Sequence, residues 1–175
     1  GYPIGASSIN DAYRNGSLTR EVATRMMGFC CNAGPAFIFG MLGSLFKVGS
    51  VAWYLWGIHI LSALAVGMIL PGKKASDCRL PVLAPIQLSQ AVKNAIINIA
   101  GVCGWVIIFR VIIAVCQRWF LWLFPKEAQT VLIAALELTN GCWELHGMSK
   151  SGLRFILSSA FLGFGGMCVT MQTVS

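Results

Sequence analysis

Glu137-Leu138-Thr139-Asn140-Gly141 decides how the rest of this sequence is interpreted, because it places polar and turn-forming residues between apolar runs. Residues 131–136 are all apolar, and a second apolar run begins at Phe155. Asn-Gly is a strong breaker pair, which predicts that the helix through Leu136 stops or turns here. An ionisable group at membrane depth costs about 2.5–3.5 kcal/mol, so Glu137 should face a partner or a watery cavity. In a soluble protein the same pattern would be a core helix that ends in a solvated loop.

The composition favours the membrane interpretation. Of the 175 residues, 57% are hydrophobic and 11% are charged, whereas soluble domains carry about 25% charged residues. The net charge is +7, but the basic residues lie in short loops between apolar runs, where they set membrane topology. We therefore predict an all-α polytopic membrane protein in a lipid bilayer and exclude a nucleic-acid partner.

Neither the cysteines nor the histidines have the spacing of a metal site. Seven cysteines form no Cys-x-x-Cys pair, and His59 lies far from His146. We interpret His59 as a satisfied interior histidine. Glu137 has no second carboxylate at a usable spacing, and no nucleophile–base pair is present. The sequence therefore predicts no metal, no cofactor and no enzyme activity.

The lengths of the apolar runs predict four long membrane helices, at residues 19–46, 48–70, 87–116 and 153–173. Short helices are predicted at residues 7–13 and 128–138. Pro35 removes a helical hydrogen bond from the first long helix, so that helix should kink or unwind at residues 32–35. Packing of small residues would explain this break as well as function does. A second break is predicted at the glycine-rich residues 163–166.

Two halves of the chain, residues 1–70 and 87–175, follow one pattern on either side of a loop at 71–86, within a single membrane domain. Each half has a glycine-bearing tip, a short segment, a polar turn and a broken spanning helix. Two full spans separate the tips, so the tips should enter from opposite sides of the membrane. This predicts an inverted repeat of a re-entrant hairpin plus a broken transmembrane helix, with a binding site near the midplane. The chain opens on Gly1 without a signal segment, and we expect it to be the C-terminal part of a longer protein.

Four stretches of sequence stand out, in order along essentially the whole chain: Gly1-Tyr2-Pro3-Ile4-Gly5-Ala6, Asn32-Ala33-Gly34-Pro35-Ala36-Phe37-Ile38, Glu137-Leu138-Thr139-Asn140-Gly141 and Phe164-Gly165-Gly166-Met167-Cys168-Val169-Thr170-Met171-Gln172-Thr173. Together they resemble the sporulation integral membrane protein family, whose members are bacterial proteins with the nucleoside-recognition (Gate) domain. The resemblance implies a multi-pass protein of the bacterial cell membrane, related in fold to concentrative nucleoside transporters. In those transporters, hairpin tips and facing unwound helices bind a nucleoside and a coupling cation. The first tip departs from that pattern, because it has Tyr2 and backbone groups but no carboxylate or glutamine.

Together, the repeat and the resemblance imply a transporter-like or permease-like protein that binds a small polar solute between its tips. The expected site residues are Tyr2, Asn32, Gly34, Glu137, Thr139, Asn140 and Gln172. Glu137 is the candidate for coupling to a cation or proton; backbone N–H groups at the break and Asn32 are its other expected partners. The alternative function is a non-transporting membrane scaffold or assembly factor for spore envelope formation.

Overall fold

The computed structural model describes residues 4–46, 48–70 and 88–174 of the chain. Within those ranges every regular element is helical: eight α-helices, one π-helix and two 3-10 helices. The all-α prediction is therefore confirmed. The predicted loop at residues 71–86 and the predicted tip residue Tyr2 lie outside the described residues.

The first two helices, α1 (Ile4–Arg14) and α2 (Arg20–Cys30), pack against each other. The turn between them contains Gly16, whose φ of +70° is a left-handed conformation that favours glycine. The start of α1 also touches the end of α2, because a Cβ added to Gly5 would lie 2.8 Å from the carbonyl oxygen of Cys30. The short helix predicted at residues 7–13 is thus confirmed and is somewhat longer than expected.

The helix predicted at residues 19–46 is interrupted near its middle, as expected. Residues 31–34 have no regular structure, the helix resumes at Pro35, and it includes a π-helix over Phe37–Leu42. Proline suits the first position of a helix because its missing N–H would have no partner there. The predicted break is confirmed, and it divides the helix expected over residues 19–46 into two separate pieces.

The next two helices are the longest in the described part of the chain: α3 (Ser50–Ile69) and α4 (Leu88–Trp119). Both are apolar on nearly all sides, which is typical of a helix that faces hydrocarbon. Of the most apolar 18-residue stretch of α4, only 11% is buried inside the protein. Most of its apolar side chains are therefore free to contact lipid.

Two short helices follow, α5 (Lys126–Leu136) and α6 (Leu138–Glu144), which meet at Glu137 and fold back on each other. Their close contact requires Gly141, because a Cβ added there would lie 2.2 Å from the Cβ of Ala134. Glycine at this position lets the two backbones approach closely.

The break in this second half lies two residues earlier than predicted. The sequence predicted a helix over residues 128–138 that ends at the Thr139-Asn140-Gly141 break, but α5 ends at Leu136, and Asn140 and Gly141 lie inside α6. The interruption is at Glu137, whose backbone is extended (φ −145°, ψ 122°). The polar stretch begins a new helix instead of ending the old one, because Glu137 caps the N-terminus that follows it.

The chain ends in α7 (Ser151–Phe164) and α8 (Gly166–Val174), separated by a left-handed residue, Gly165, with a φ of +75°. This confirms the predicted glycine-rich break. Together α7 and α8 form the third helical segment of the described residues that is long and apolar enough to cross a membrane, after α3 and α4. Four such segments were expected; the stretch at residues 19–46 is not among them.

One apolar core connects the first break to the second half of the chain. It contains Ala33 from the first break, Leu138 and Cys142 from α6, and Phe161 and Leu162 from α7. All five side chains are buried. The two interrupted regions therefore belong to one packed unit, although they are more than 100 residues apart in the chain.

A half-buried arginine joins two helix ends at the edge of this core. The guanidinium of Arg154 on α7 donates to the carbonyl oxygen of Leu45 at 2.5 Å and to that of Met148. Carbonyl oxygens at helix C-termini lack partners within the helix and carry a partial negative charge. Arg154 supplies both hydrogen-bond donors and a positive charge there.

We predict that Gly141→Ala strongly destabilises the protein. The added methyl group would overlap the Ala134 backbone as well as its side chain, so α5 and α6 must separate, and we expect a loss of about 3 kcal/mol or more in the free energy of unfolding. The measurement is thermal or denaturant unfolding of the detergent-solubilised chain.

Gly163→Ala in α7 is the matched control, because a Cβ there meets nothing within 4 Å. Alanine is the better helix former, by about 1 kcal/mol, so the control should be as stable as the parent or slightly more stable. If Gly141→Ala unfolds with the parent, the close packing of α5 on α6 is not required.

Candidate functional site

The carboxylate of Glu137 is the centre of the junction between α5 and α6, which we call the capped junction. Only 2% of the residue's surface is exposed. Its Oε1 accepts the backbone N–H of Thr139 at 2.9 Å, and its Oε2 accepts the backbone N–H and the side-chain amide of Asn140, each at 2.6 Å. These are the second and third N–H groups of α6, which have no partner within the helix. The expectation that Glu137 binds backbone N–H groups is confirmed.

A carboxylate is well suited to this capping position. Bonds from N–H groups to a charged acceptor are shorter and stronger than neutral ones, and a negative charge is favourable at the positive end of a helix. Glutamate is longer than the usual capping residues, and the side chain of Asn140 supplies an additional donor. The polar stretch of the sequence therefore folds onto itself locally.

The start of α8 lies directly against this capped junction. A Cβ added to Gly166 would lie 3.0 Å from the carbonyl oxygen of Ala134 and 3.2 Å from the amide nitrogen of Leu138. The φ of Gly166 is also positive, at +82°. The second glycine of the break thus permits a backbone-to-backbone contact between α8 and the junction of α5 and α6.

In the first break, at residues 31–34, the hydrogen bonds are made by a different set of groups. The side-chain amide of Asn32 donates to the carbonyl oxygen of Phe29 at 2.7 Å. The backbone N–H of Ala33 donates to Nε2 of His59 at 3.0 Å. The carbonyl oxygen of Gly34 accepts the N–H of Phe37 at 3.0 Å. Asn32 and Gly34, both expected site residues, thus hold the break in shape.

His59 is the residue of this break that the sequence did not assign to a site. Its Nε2 is the acceptor, so its proton is on Nδ1. His59 comes from α3, 26 residues after its partner. A signal was present, because an ionisable side chain inside an apolar span is by default a candidate site residue. The interpretation of His59 as a satisfied interior histidine agrees with its hydrogen bond, but that bond is also what completes the break.

Gln172 occupies a third location, on α8. It lines a cavity of about 280 Å³, together with Asn10 from α1 and Asn98 from α4. Its side-chain nitrogen also lies 3.2 Å from the sulfur of the buried Cys168. This places Gln172 beside the start of the chain's first helix, at a site that the sequence did not assign.

The expected site residues therefore fall into three groups. Glu137, Thr139 and Asn140 form the capped junction, Asn32 and Gly34 form the first break, and Gln172 lines the cavity. Ala33 and Leu138, neighbours of the first two groups, share the apolar core. That these residues line one polar cavity, with the two tips close together in space, stays a prediction.

Comparison of the chain with protein-family models, with curated proteins and with solved structures finds no match.

We predict that His59→Leu destabilises the first break. The substitution removes the acceptor of the Ala33 N–H, and a poorly satisfied buried N–H costs about 1–3 kcal/mol. His59→Gln is the matched variant, because its side-chain oxygen can reach a position close to that of Nε2. Unfolding of both variants in detergent should show a clear loss for leucine and a smaller loss for glutamine. Equal losses would mean that His59 contributes packing alone.

We predict that Glu137→Gln also costs about 1–3 kcal/mol in the free energy of unfolding. The amide keeps one acceptor oxygen, but its NH2 group then faces N–H donors instead of accepting from them. Glu127→Gln is the control, because Glu127 is exposed in the first turn of α5. A Glu137→Gln protein as stable as this control would show that the cap is dispensable.

Proposed function

We propose that this chain is a transporter-like membrane protein that binds a small polar solute between two interrupted helices. The three long apolar segments support a position in the bilayer. The interruptions at residues 31–34 and at Gly165 support a site between them, since breaks in membrane helices are tolerated where they meet protein or line a polar cavity.

The observation that carries the proposal is the correspondence between the two halves. In each half, a short helix lies against a break: the start of α1 touches the end of α2 at Cys30, and the junction at Glu137 touches Gly166 in the α7–α8 break. We interpret this correspondence as an inverted repeat of a re-entrant hairpin and a broken helix. Matching interruptions in two halves are a feature of secondary transporters with midplane sites.

We further propose membership of the sporulation integral membrane protein family with the nucleoside-recognition (Gate) domain, and a position in the bacterial cell membrane. The support is the order of four sequence motifs, three of which lie wholly within described parts of the chain. The second and third motifs cover the first break and the capped junction, and the fourth covers the α7–α8 break and nearly all of α8.

One observation favours the alternative, a membrane scaffold or assembly factor for the spore envelope. The oxygens of Glu137 already accept three hydrogen bonds from its own helix. A coupling ion would have to compete with those donors. We therefore propose that Glu137 acts first as a structural cap, and that its role in coupling to a cation or proton is the hypothesis to be tested separately.

The direct test is solute uptake into proteoliposomes that contain the full-length protein. Radiolabelled nucleosides, amino acids and polyamines are screened with and without sodium and proton gradients. We expect at least one solute to accumulate well above the level in protein-free liposomes. Uptake at the protein-free level across the screen, with folded protein in the membrane, would favour the scaffold.

The same assay separates the two roles of Glu137. If the residue is a cap, Glu137→Gln lowers thermal stability, but the uptake that remains still responds to the ion gradient. If the residue couples transport to an ion, the gradient loses its effect while the protein stays folded. Glu127→Gln should retain both stability and uptake.

A further inference from the structure

A row of carboxamides runs along one side of α4. Gln90, Asn94 and Asn98 are spaced four residues apart, which places them on one face of the helix. Gln90 donates to Asn94 at 2.9 Å. α4 contains an 18-residue stretch with a mean hydropathy of 2.5, and it also carries Lys93 beside the carboxamide row. Polar groups in such a helix are costly in contact with lipid, so this face is expected to meet protein or water.

α1 presents a polar face to this row. Ser7, Asn10 and Asp11 are spaced three and four residues apart, so they share a face of α1. Ser7 and Asp11 line a cavity of about 230 Å³ with Asn94 and Asn98. The polar faces of α1 and α4 therefore border a common space.

The second cavity adjoins the first and is the one that Gln172 lines. It measures about 280 Å³ and shares Ser7 and Asn98 with its neighbour. Three carboxamides reach it from three different helices: Asn10 from α1, Asn98 from α4 and Gln172 from α8. We call the two adjoining cavities the polar cleft.

The side chains that the structure describes around the larger cavity are uncharged. Carboxamides offer two N–H donors and an acceptor oxygen each, and hydroxyls both donate and accept. The described residues that line the larger cavity include no Asp, Glu, Lys, Arg or His. Asp11 lines the smaller cavity and is exposed. In the larger cavity a neutral solute can exchange its hydrogen bonds with water for bonds to these groups, whereas an ion would find no opposite charge among the described lining residues.

We propose that the larger cavity of the polar cleft is a solute-accessible site that admits uncharged, hydrogen-bonding molecules and discriminates against ions of either sign. The inference deepens the proposed function and rests on it only for the idea that the cleft serves transport. Access to the cleft is a property that can be measured without knowing the natural solute.

The test is alkylation of Ser7→Cys in the full-length protein in liposomes, at about 0.15 M salt, where the Debye length is about 8 Å. Three small reagents are compared: iodoacetamide, which is neutral; iodoacetate, which is an anion of nearly the same size; and bromoethylamine, which is a cation. The modification of residue 7 is quantified by peptide mass spectrometry, so the native cysteines do not interfere.

Asn15→Cys, at an exposed position in the turn after α1, provides the reference. At each cysteine, the alkylation rate of a charged reagent is divided by that of iodoacetamide. The ratio at Ser7→Cys is then divided by the ratio at Asn15→Cys, so the intrinsic reactivities of the reagents and of the thiolates cancel. We expect both charged reagents to be disfavoured at Ser7→Cys by about tenfold or more relative to iodoacetamide. Equal ratios at the two cysteines would show an open surface without selectivity and would overturn the proposal.

A blocking variant tests whether the reagent enters through the polar cleft. Gly101 lines the larger cavity and Gly104 does not, although both are on α4 and a Cβ on either meets nothing within 4 Å. Gly101→Phe should slow the reaction of iodoacetamide with Ser7→Cys by about tenfold, because the ring occupies space next to the carboxamides. Gly104→Phe should leave the rate unchanged, and unfolding temperatures establish that both variants are folded.

Each remaining outcome of the labelling experiment either supports or overturns the proposal. Preference for bromoethylamine that disappears in Asp11→Asn would make this a cation site governed by that carboxylate and would overturn the proposal. So would the absence of reaction with every reagent at Ser7→Cys while Asn15→Cys reacts. Selective labelling in a protein that transports nothing would retain the polar cleft and reject the proposed function, so the two failures are distinguishable.

Discussion

An interrupted helix in an apolar protein leaves backbone N–H groups that something has to satisfy, and the rest of this structure depends on how they are satisfied. At the capped junction of α5 and α6 the partner is the carboxylate of Glu137, which binds two backbone N–H groups of α6 and the amide of Asn140. At the first break it is His59, which reaches from α3 to the N–H of Ala33. Glu137 is close in sequence to the groups it binds, whereas His59 comes from another helix. Each side chain provides a hydrogen-bond acceptor that the hydrocarbon of a bilayer lacks.

Glycines provide the space that these solutions need. Gly141 and Gly166 both pack at the same junction and bring α6 and α8 against the backbone around Ala134. Gly5 performs the corresponding role in the first half, against Cys30. Without a hydrophobic driving force between helices in a bilayer, such close van der Waals contacts become a main source of association. The breaks are thus compact, packed features of the fold.

The distribution of polar groups suggests a division of labour within the proposed transporter. Glu137 and His59 are engaged with the backbone, and Arg154 binds two carbonyl groups at helix ends. Asn10 and Asn98 instead line a cavity between helices. We infer that the ionisable residues near the breaks maintain the architecture, while uncharged amides are the groups offered to a solute.

The positions of the long helices and of the two breaks were determined by the sequence alone. The apolar lengths predict the long helices α3 and α4, and Pro35 and the glycines near Gly165 predict the two breaks, because these residues limit the backbone locally. The position of the interruption between α5 and α6 depended on two competing signals. Glu137 caps α6, and this outweighed the breaker pair Asn140-Gly141, which stays helical. The hydrogen bond between His59 and Ala33, and the cavity that Asn98 and Gln172 both line, were decided only by the tertiary structure. Helical periodicity shows which residues share a face of one helix. Which residues of another helix they contact depends on how whole helices pack, and packing depends on many contacts between residues that are distant in sequence.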